Sequence, residues 1–343
     1  MNDFTASAPL PPPTDVGRLG VYHLKRAWAR RRPGRPQQAF DQAEFHRDRL
    51  VFHALGLGLE QTLQYLGQGA ATFAEFEQWI VATAGEVPAL QVARINAAIA
   101  GEAYPPQVDA ALARIDAQAP VLSADDLAFW HEHGYVILHD AVPADTRAAA
   151  LDALLDRLGA RLDDPETWYG QNRSIMVQYF QHPAFDANRR SPRIHKAFAQ
   201  LWGTADLWVT TDRVGFNPPE RAGWQFPGPD LHWDTSLVQP IPLGMGGILY
   251  LIDTAPEQGA FTCVPGFHHR IADWLEGLPA GADPRQQDLH ALGSQPIAGR
   301  AGDLVIWNDA LPHGSRPNRS DMPRIVQYIA MYPTTLEIQP VWR

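Results

Sequence analysis

The chain has 343 residues, 45% of them hydrophobic and 10% aromatic, and a net charge of −10. That is enough apolar material for a large core, in about two domains or one enlarged one. With no run of about 18 apolar residues, a single cysteine (Cys263) and an acidic balance, it argues against a transmembrane helix, a disulfide framework, a cysteine-based zinc site and a basic nucleic-acid binder.

Residues 1–17 are rich in proline and small residues and have no hydrophobic period, which predicts a disordered leader. They also lack the apolar core of a signal peptide, so a cytoplasmic protein without membrane contact is the expectation. A basic cluster follows: Arg18, Lys25, Arg26, Arg30, Arg31, Arg32, Arg35, Arg47 and Arg49. It reads as a solvated helix face; the alternative is a contact for an anionic partner, the protein's own acidic body included. Residues 40–118 read as helical, because Ala, Leu, Gln and Glu dominate and apolar residues recur at helical spacing, as in Phe73, Phe76 and Ile80. Residues 18–120 are therefore expected to form a helical N-terminal region, partly basic and without chemistry of its own. Its boundary falls near Ala119-Pro120. Nothing in this stretch identifies a protein partner.

The character changes after residue 120. Ser123, followed by Asp125 and Asp126, reads as a helix N-cap with an acidic first turn, and the helix runs to Gly134. A short strand, Tyr135–Leu138, and a second helix, Pro143–Leu158, come next. Beyond residue 170, strand-like runs separated by Pro/Gly turns lie at Ser174–Phe180, Leu207–Phe216, Gly247–Ile252, Ala260–Val264, Asp303–Trp307 and Arg324–Met331. The pattern predicts a mainly β fold with flanking helices over residues 121–343. Its core would be a double-stranded β-helix, or jelly roll, beside the helical N-terminal domain.

Two segments carry chemistry. In Leu231-His232-Trp233-Asp234, the residues two apart share one strand face, so an imidazole and a carboxylate can meet one metal ion. The other His-x-Asp, His46-Arg47-Asp48, lies in the helical region, where i and i+2 do not face each other. His313, after the strand Asp303–Trp307, could supply a third ligand. Two His and one carboxylate with open positions are the arrangement of non-haem Fe(II) oxygenases, which can take a bidentate 2-oxo acid and then O₂. Arg324 opens a strand that puts Arg324, Val326, Tyr328 and Ala330 on one face. A guanidinium aimed into a barrel needs an anion, and the distal carboxylate of 2-oxoglutarate suits its fork. Arg316 is the competing anchor.

These residues resemble the phytanoyl-CoA dioxygenase family of Fe(II)/2-oxoglutarate-dependent oxygenases over about residues 121–334. The likeness is carried by Phe129-Trp130-His131-Glu132-His133-Gly134-Tyr135, by Val264-Pro265-Gly266-Phe267-His268 where the family has Pro-Gly-Ser-His, and by His313-Gly314-Ser315 with Arg324 eleven positions after His313. The resemblance implies Fe(II), 2-oxoglutarate and O₂ as the chemical partners, with His232, Asp234 and His313 as metal ligands. It also implies Arg324 and Ser315 on the co-substrate carboxylate, and Tyr250, eighteen positions after His232, packed beside it. The family's usual Gln between the first ligands is Trp233 here.

The expected reaction is hydroxylation of an unactivated C–H in a small metabolite, for preference one bearing a carboxylate. Asp234 speaks against a halogenase, whose halide needs that coordination position. A cupin-type hydrolase or isomerase, or a binding protein on the same fold, are the alternatives. Gln178, Arg213, Asn217, Trp224 and Trp233 are the candidate substrate contacts. His268 and His269 follow a turn and are read as structural, and Cys263 as a buried small apolar residue.

Overall fold

The computed structural model describes residues 9–32, 41–69, 72–170, 174–337 and 339–342. The first half is helical: α1 (Leu24–Arg30), α2 (Gln42–Ala54), α3 (Leu59–Gly67), α4 (Phe73–Ala84), α5 (Ala89–Ala100) and α6 (Pro106–Asp116). Asp41 caps α2 by accepting from Glu44 N, and a Thr72–Glu75 capping box opens α4. Their apolar faces meet in a core of Leu24, Leu50, Phe52, Phe76 and Ile80, into which Trp208 and Tyr332 of the second half also pack. The region is thus not an independent domain; it shares a core with the rest. Arg94 tightens the junction, donating to Asp206 at 2.9 Å and lying over the Trp208 ring.

Residues 9–17 depart from the expected disordered leader. Pro13 O accepts from His23 N, Pro11 O accepts from Arg26, Asp15 pairs with Lys25 at 2.8 Å and Leu10 packs on the helical core. Backbone carbonyls of a proline-rich run are strong acceptors, and the neighbouring cations use them. Residues 1–8 of the leader lie outside the described residues. The basic cluster is not a solvated face either. Arg26 and Arg30 pair with Glu44, and Arg30 and Arg31 with the buried Asp48, which also bonds His23. Burial would raise the Asp48 carboxyl, but the His23 hydrogen bond and the Arg31 and Arg30 charges outweigh it and hold it below its usual range. Arg35 lies outside the described residues.

The second half begins with α7 (Ala124–His133), whose N-cap Ser123 forms a capping box with Asp126 and whose C-cap is Gly134 at φ 75°. Strands β1 (Tyr135–Leu138), β2 (Met176–Val177), β3 (Leu207–Val209), β4 (Val214–Asn217), β5 (Met245–Tyr250), β6 (Thr262–Cys263), β7 (Gln295–Pro296), β8 (Leu304–Asn308), β9 (His313–Gly314), β10 (Arg324–Tyr328) and β11 (Met331–Pro333) follow. Helices α8 (Ala144–Leu158), α9 (Pro183–Arg189), α10 (Pro192–Trp202) and α11 (Ile271–Glu276) are interspersed. The major sheet runs β1-β8-β5-β10-β4-β2, the minor one β7-β6-β9, and β3 pairs with β11. All pairs are antiparallel.

The pleat decides which residues meet. Ile248, Tyr250, Val305, Trp307 and Val326 face the minor sheet and pack on Phe261, Cys263 and Trp233. Their neighbours Leu249, Leu304, Ile306 and Ile325 face the other way, onto Ala150 and Leu154 of α8 and Phe198 of α10. This is a jelly-roll core backed by helices. Two predicted strands are broken: Leu207–Phe216 becomes β3 and β4 in different sheets, and Arg324–Met331 becomes β10 and β11. Ser174–Phe180 contracts to β2. No described helix is long and apolar enough to cross a membrane.

Candidate metal and co-substrate centre

The edge of the minor sheet brings His232, Asp234 and His313, the expected metal ligands, together. His232 does not sit on a regular strand. It forms an isolated bridge with His313 of β9, each backbone N–H donating to the other's carbonyl. His232 Nε2 lies 3.4 Å and His313 Nε2 3.3 Å from the two Asp234 carboxylate oxygens, and one ligand atom of each residue lies within 4.8 Å of the others. Among the described residues no other His, Cys, Asp and Glu group of this kind occurs.

The imidazoles are already turned for coordination. His232 Nδ1 is 2.7 Å from Asp230 O, and His313 Nδ1 is 3.1 Å from Leu311 O. A carbonyl only accepts, so each Nδ1 carries a proton and each Nε2, turned to Asp234, is the nitrogen left for a metal to take. Burial would raise the Asp234 carboxyl, but the hydrogen bonds to His232 and His313 and their charges press it far below the usual carboxylate range. Burial alone would lower His232, while Asp234 raises it more. Two imidazole nitrogens and a carboxylate converging on one point fit a divalent first-row metal. Trp307 and Phe261 back His313, with ring centroids 4.9 and 6.1 Å away.

Arg324 has no exposed surface. Its Nη1 donates to Ser315 Oγ at 2.8 Å, and its Nε and Nη2 are buried without a hydrogen-bond partner. Ser315 lines the cavity beside the triad, as does Tyr328 from the same face of β10. Orphaned guanidinium N–H groups of a buried Arg call for an anion. Arg316, the competing anchor, turns away and donates to Ser294 Oγ at 2.7 Å.

Triad and Ser315 open on one cavity of about 480 Å³. Of the candidate substrate contacts, only Arg213 lines it, and its Nη1 and Nε are held by Glu60 and Asp212. Gln178 is exposed outside the cavity because the chain leaves the strand after Val177. Asn217 is fully buried, pairs across from Arg324 and donates to Arg316 O, so it braces the loop after His313. Trp224 closes a turn with Arg221 and packs on Tyr169. Trp233 alternates away from its ligand neighbours, donates to Ala310 O and packs on Trp274. Tyr250 is not in the cavity wall either. Its hydroxyl donates to Ile297 O at 2.7 Å and accepts from Phe261 N, and burial raises it. His268 and His269 both reach His131 O, and Cys263 is buried with its thiol raised by burial.

Sequence reasoning missed another part of the cavity lining. His46, Arg49 and His53 of α2, Tyr332 of β11 and Asp309 all line the cavity. The i, i+3, i+7 spacing of the first three was the available signal. Burial pushes Asp309 up to about 6.

Comparison with known proteins agrees with this geometry. Residues 130–326 match the family described as Phytanoyl-CoA dioxygenase (PhyH). A putative phytanoyl-CoA dioxygenase of Dictyostelium discoideum is 23% identical over 260 residues, spanning 60% of this chain and 74% of that protein. An ectoine dioxygenase of Bordetella parapertussis is 25% identical over 235 residues, with the same coverage. Among solved structures, the non-heme alpha ketoglutarate dependent carbocyclase SnoK from nogalamycin biosynthesis is 20% identical with a TM-score of 0.44, over 65% of this chain and 90% of that one. EctD from S. alaskensis is 19% identical with a TM-score of 0.45, over 66% and 86%. The family match covers more than half of the chain, and the donor set and the orphaned guanidinium suit the family's Fe(II), 2-oxoglutarate and O₂: this protein belongs to the phytanoyl-CoA dioxygenase family and is a 2-oxoglutarate-dependent dioxygenase.

Proposed function

We propose that the protein hydroxylates an unactivated C–H bond of a small, carboxylate-bearing metabolite, with His232, Asp234 and His313 holding Fe(II) and Arg324 and Ser315 holding the distal carboxylate of 2-oxoglutarate. The observation that carries this reading is Arg324: a fully buried cation whose Nε and Nη2 have no hydrogen-bond partner, and whose Nη1 donates to Ser315, which lines the same cavity as the triad. Iron bound there would supply O₂ activation coupled to decarboxylation of 2-oxoglutarate.

The chain's own residues do the rest. Asp230 O and Leu311 O keep the two imidazoles in the ligating tautomer. Arg324 and Ser315 orient the co-substrate, and Phe261 and Trp307 keep water from the His313 side of the site.

Anaerobic absorption spectroscopy tests the assignment. Wild-type apoprotein titrated with Fe(II) and then 2-oxoglutarate should develop a visible metal-to-ligand charge-transfer band. His313→Ala should abolish it, and Arg324→Ala should shift it to higher co-substrate concentration. A folded, iron-loaded wild type without the band would overturn the site, and succinate release with uncharged metabolites alone would overturn the substrate class.

A further inference from the structure

Part of the cavity wall comes from outside the segment that matches the family. Helix α2 brings Arg49, His46 and His53 to it, and β11 brings Tyr332. The Arg49 guanidinium lies over the Tyr332 ring, 4.2 Å from its centroid, with the His46 ring 5.7 Å from the same ring.

The charge of Arg49 is not spent. Among the described residues, Arg26, Arg30, Arg31 and Arg47 of the same basic cluster each pair with Glu44 or Asp48. Arg213, the other arginine lining the cavity, is taken by Glu60 and Asp212. Among the described residues, no carboxylate lies within ion-pair distance of Arg49.

Three polar atoms of this one wall are buried without a hydrogen bond of good geometry: Arg49 Nε, His46 Nε2 and Tyr332 Oη, with the Arg49 guanidinium close to the Tyr332 hydroxyl and the Thr334 backbone close to His46. Buried polar groups are nearly always paired, so such a cluster indicates a missing ligand. Two of the three carry hydrogens that can only be met by an acceptor, or by an anion in the case of Arg49. Burial, then the Arg49 charge, lower His46 to about 4, so it remains a neutral imidazole. Asp309 is within electrostatic reach of both His313 and Arg49, and all of these residues line the one cavity.

We propose that the α2–β11 wall is the binding site for the substrate's carboxylate, with Arg49 as its charged anchor and the Tyr332 hydroxyl as a second donor. The site is distinct from that of the co-substrate, whose carboxylate faces Arg324. The inference rests on the oxygenase reading and names the side of the cavity from which the substrate is held. It gives the N-terminal helical region a role in choosing the substrate, through a residue lying 81 positions before the family match begins.

The test uses full-length protein loaded with Zn(II), which prevents turnover, and one equivalent of 2-oxoglutarate. Hexanoate and its uncharged isostere hexanamide are titrated by ligand-observed NMR. Wild type should bind hexanoate about tenfold more tightly than hexanamide. Arg49→Gln should bring the ratio to about one, Arg49→Lys should retain part of it, and Arg213→Gln should leave it unchanged.

A wild type without the preference, or an Arg49→Gln that keeps it, would overturn the proposal. So would loss of the preference in Arg213→Gln but not in Arg49→Gln. The Fe(II)–2-oxoglutarate absorption band, measured on the same variants, separates this failure from failure of the oxygenase reading, because it does not depend on Arg49.

Discussion

His232 and His313 exchange a reciprocal pair of backbone hydrogen bonds, 2.8 and 2.9 Å long, and this isolated bridge brings their imidazoles to the single carboxylate of Asp234. The register of that bridge therefore sets the geometry of the proposed metal centre. Gly314, next to His313, lets the Asp230 carbonyl approach so closely that a Cβ there would overlap it. Since that carbonyl orients His232, Gly314→Ala should lower Fe(II) affinity by about 10- to 100-fold with the ligands intact. Competition with a chelating dye measures this; unchanged affinity would show that the bridge can shift without loss of the site.

Ser315 and Arg324 should separate in their effects. Ser315→Ala removes one neutral partner of Nη1, and the Kd for 2-oxoglutarate should rise by about three- to tenfold. Arg324→Lys loses the fork and should raise it by about 100-fold. Co-substrate titrations of the charge-transfer band give both values. Equal effects would place the carboxylate on the hydroxyl and not on the guanidinium.

Tyr250 should matter for stability and not for co-substrate binding. Its hydroxyl links Ile297 O to Phe261 N in the core. Tyr250→Phe leaves both backbone groups unpaired and should cost about 1–3 kcal/mol. Denaturant unfolding measures the loss, and the 2-oxoglutarate affinity of the variant should match wild type.

Acid stability should report the cavity wall. Burial, then the Arg49 charge, hold His53 at about 3, well below the 6.5 it has when unfolded. Between those values the unfolded chain binds a proton that the folded chain does not. Stability from this group is therefore full above 6.5 and falls as pH drops, by up to about 1.4 kcal/mol per pH unit. Asp309, raised from 3.8 to about 6, acts in the opposite sense: its contribution declines as pH rises between those values. Thermal melts from pH 7 to 4 should show a flatter acid limb in His53→Gln and a steeper one in Asp309→Asn.

Removing the first 120 residues should destabilise what remains. Trp208 and Tyr332, at 2% and 3% exposure, would lose the core that covers them. At roughly 150–250 Å² each and about 25 cal/mol per Å², full burial of the two rings represents about 8–12 kcal/mol, an upper bound on what the truncation costs there. Calorimetry of the truncated chain checks this, and an unchanged Tm would show that the jelly roll closes its own core.

What the sequence by itself determined was local or nearly so. The capping box at Ser123, the Gly134 stop, the His-x-Asp pair and the strand that opens at Arg324 are set by spacing, and spacing follows from helix and strand periods. The alternation also placed Trp233 opposite its ligand neighbours, and the structure puts it in the core. Only the tertiary structure decided which polar residues face the cavity. Tyr250, Asn217 and Trp224 carry the right chemistry, but long-range partners satisfy them elsewhere. Arg49 stood unremarked in a basic cluster until the fold spent its neighbours' charges on Glu44 and Asp48 and carried it across the chain to Tyr332. Which of many like charges is left unpaired depends on every other pairing, and that is a property of the packed molecule, not of any segment.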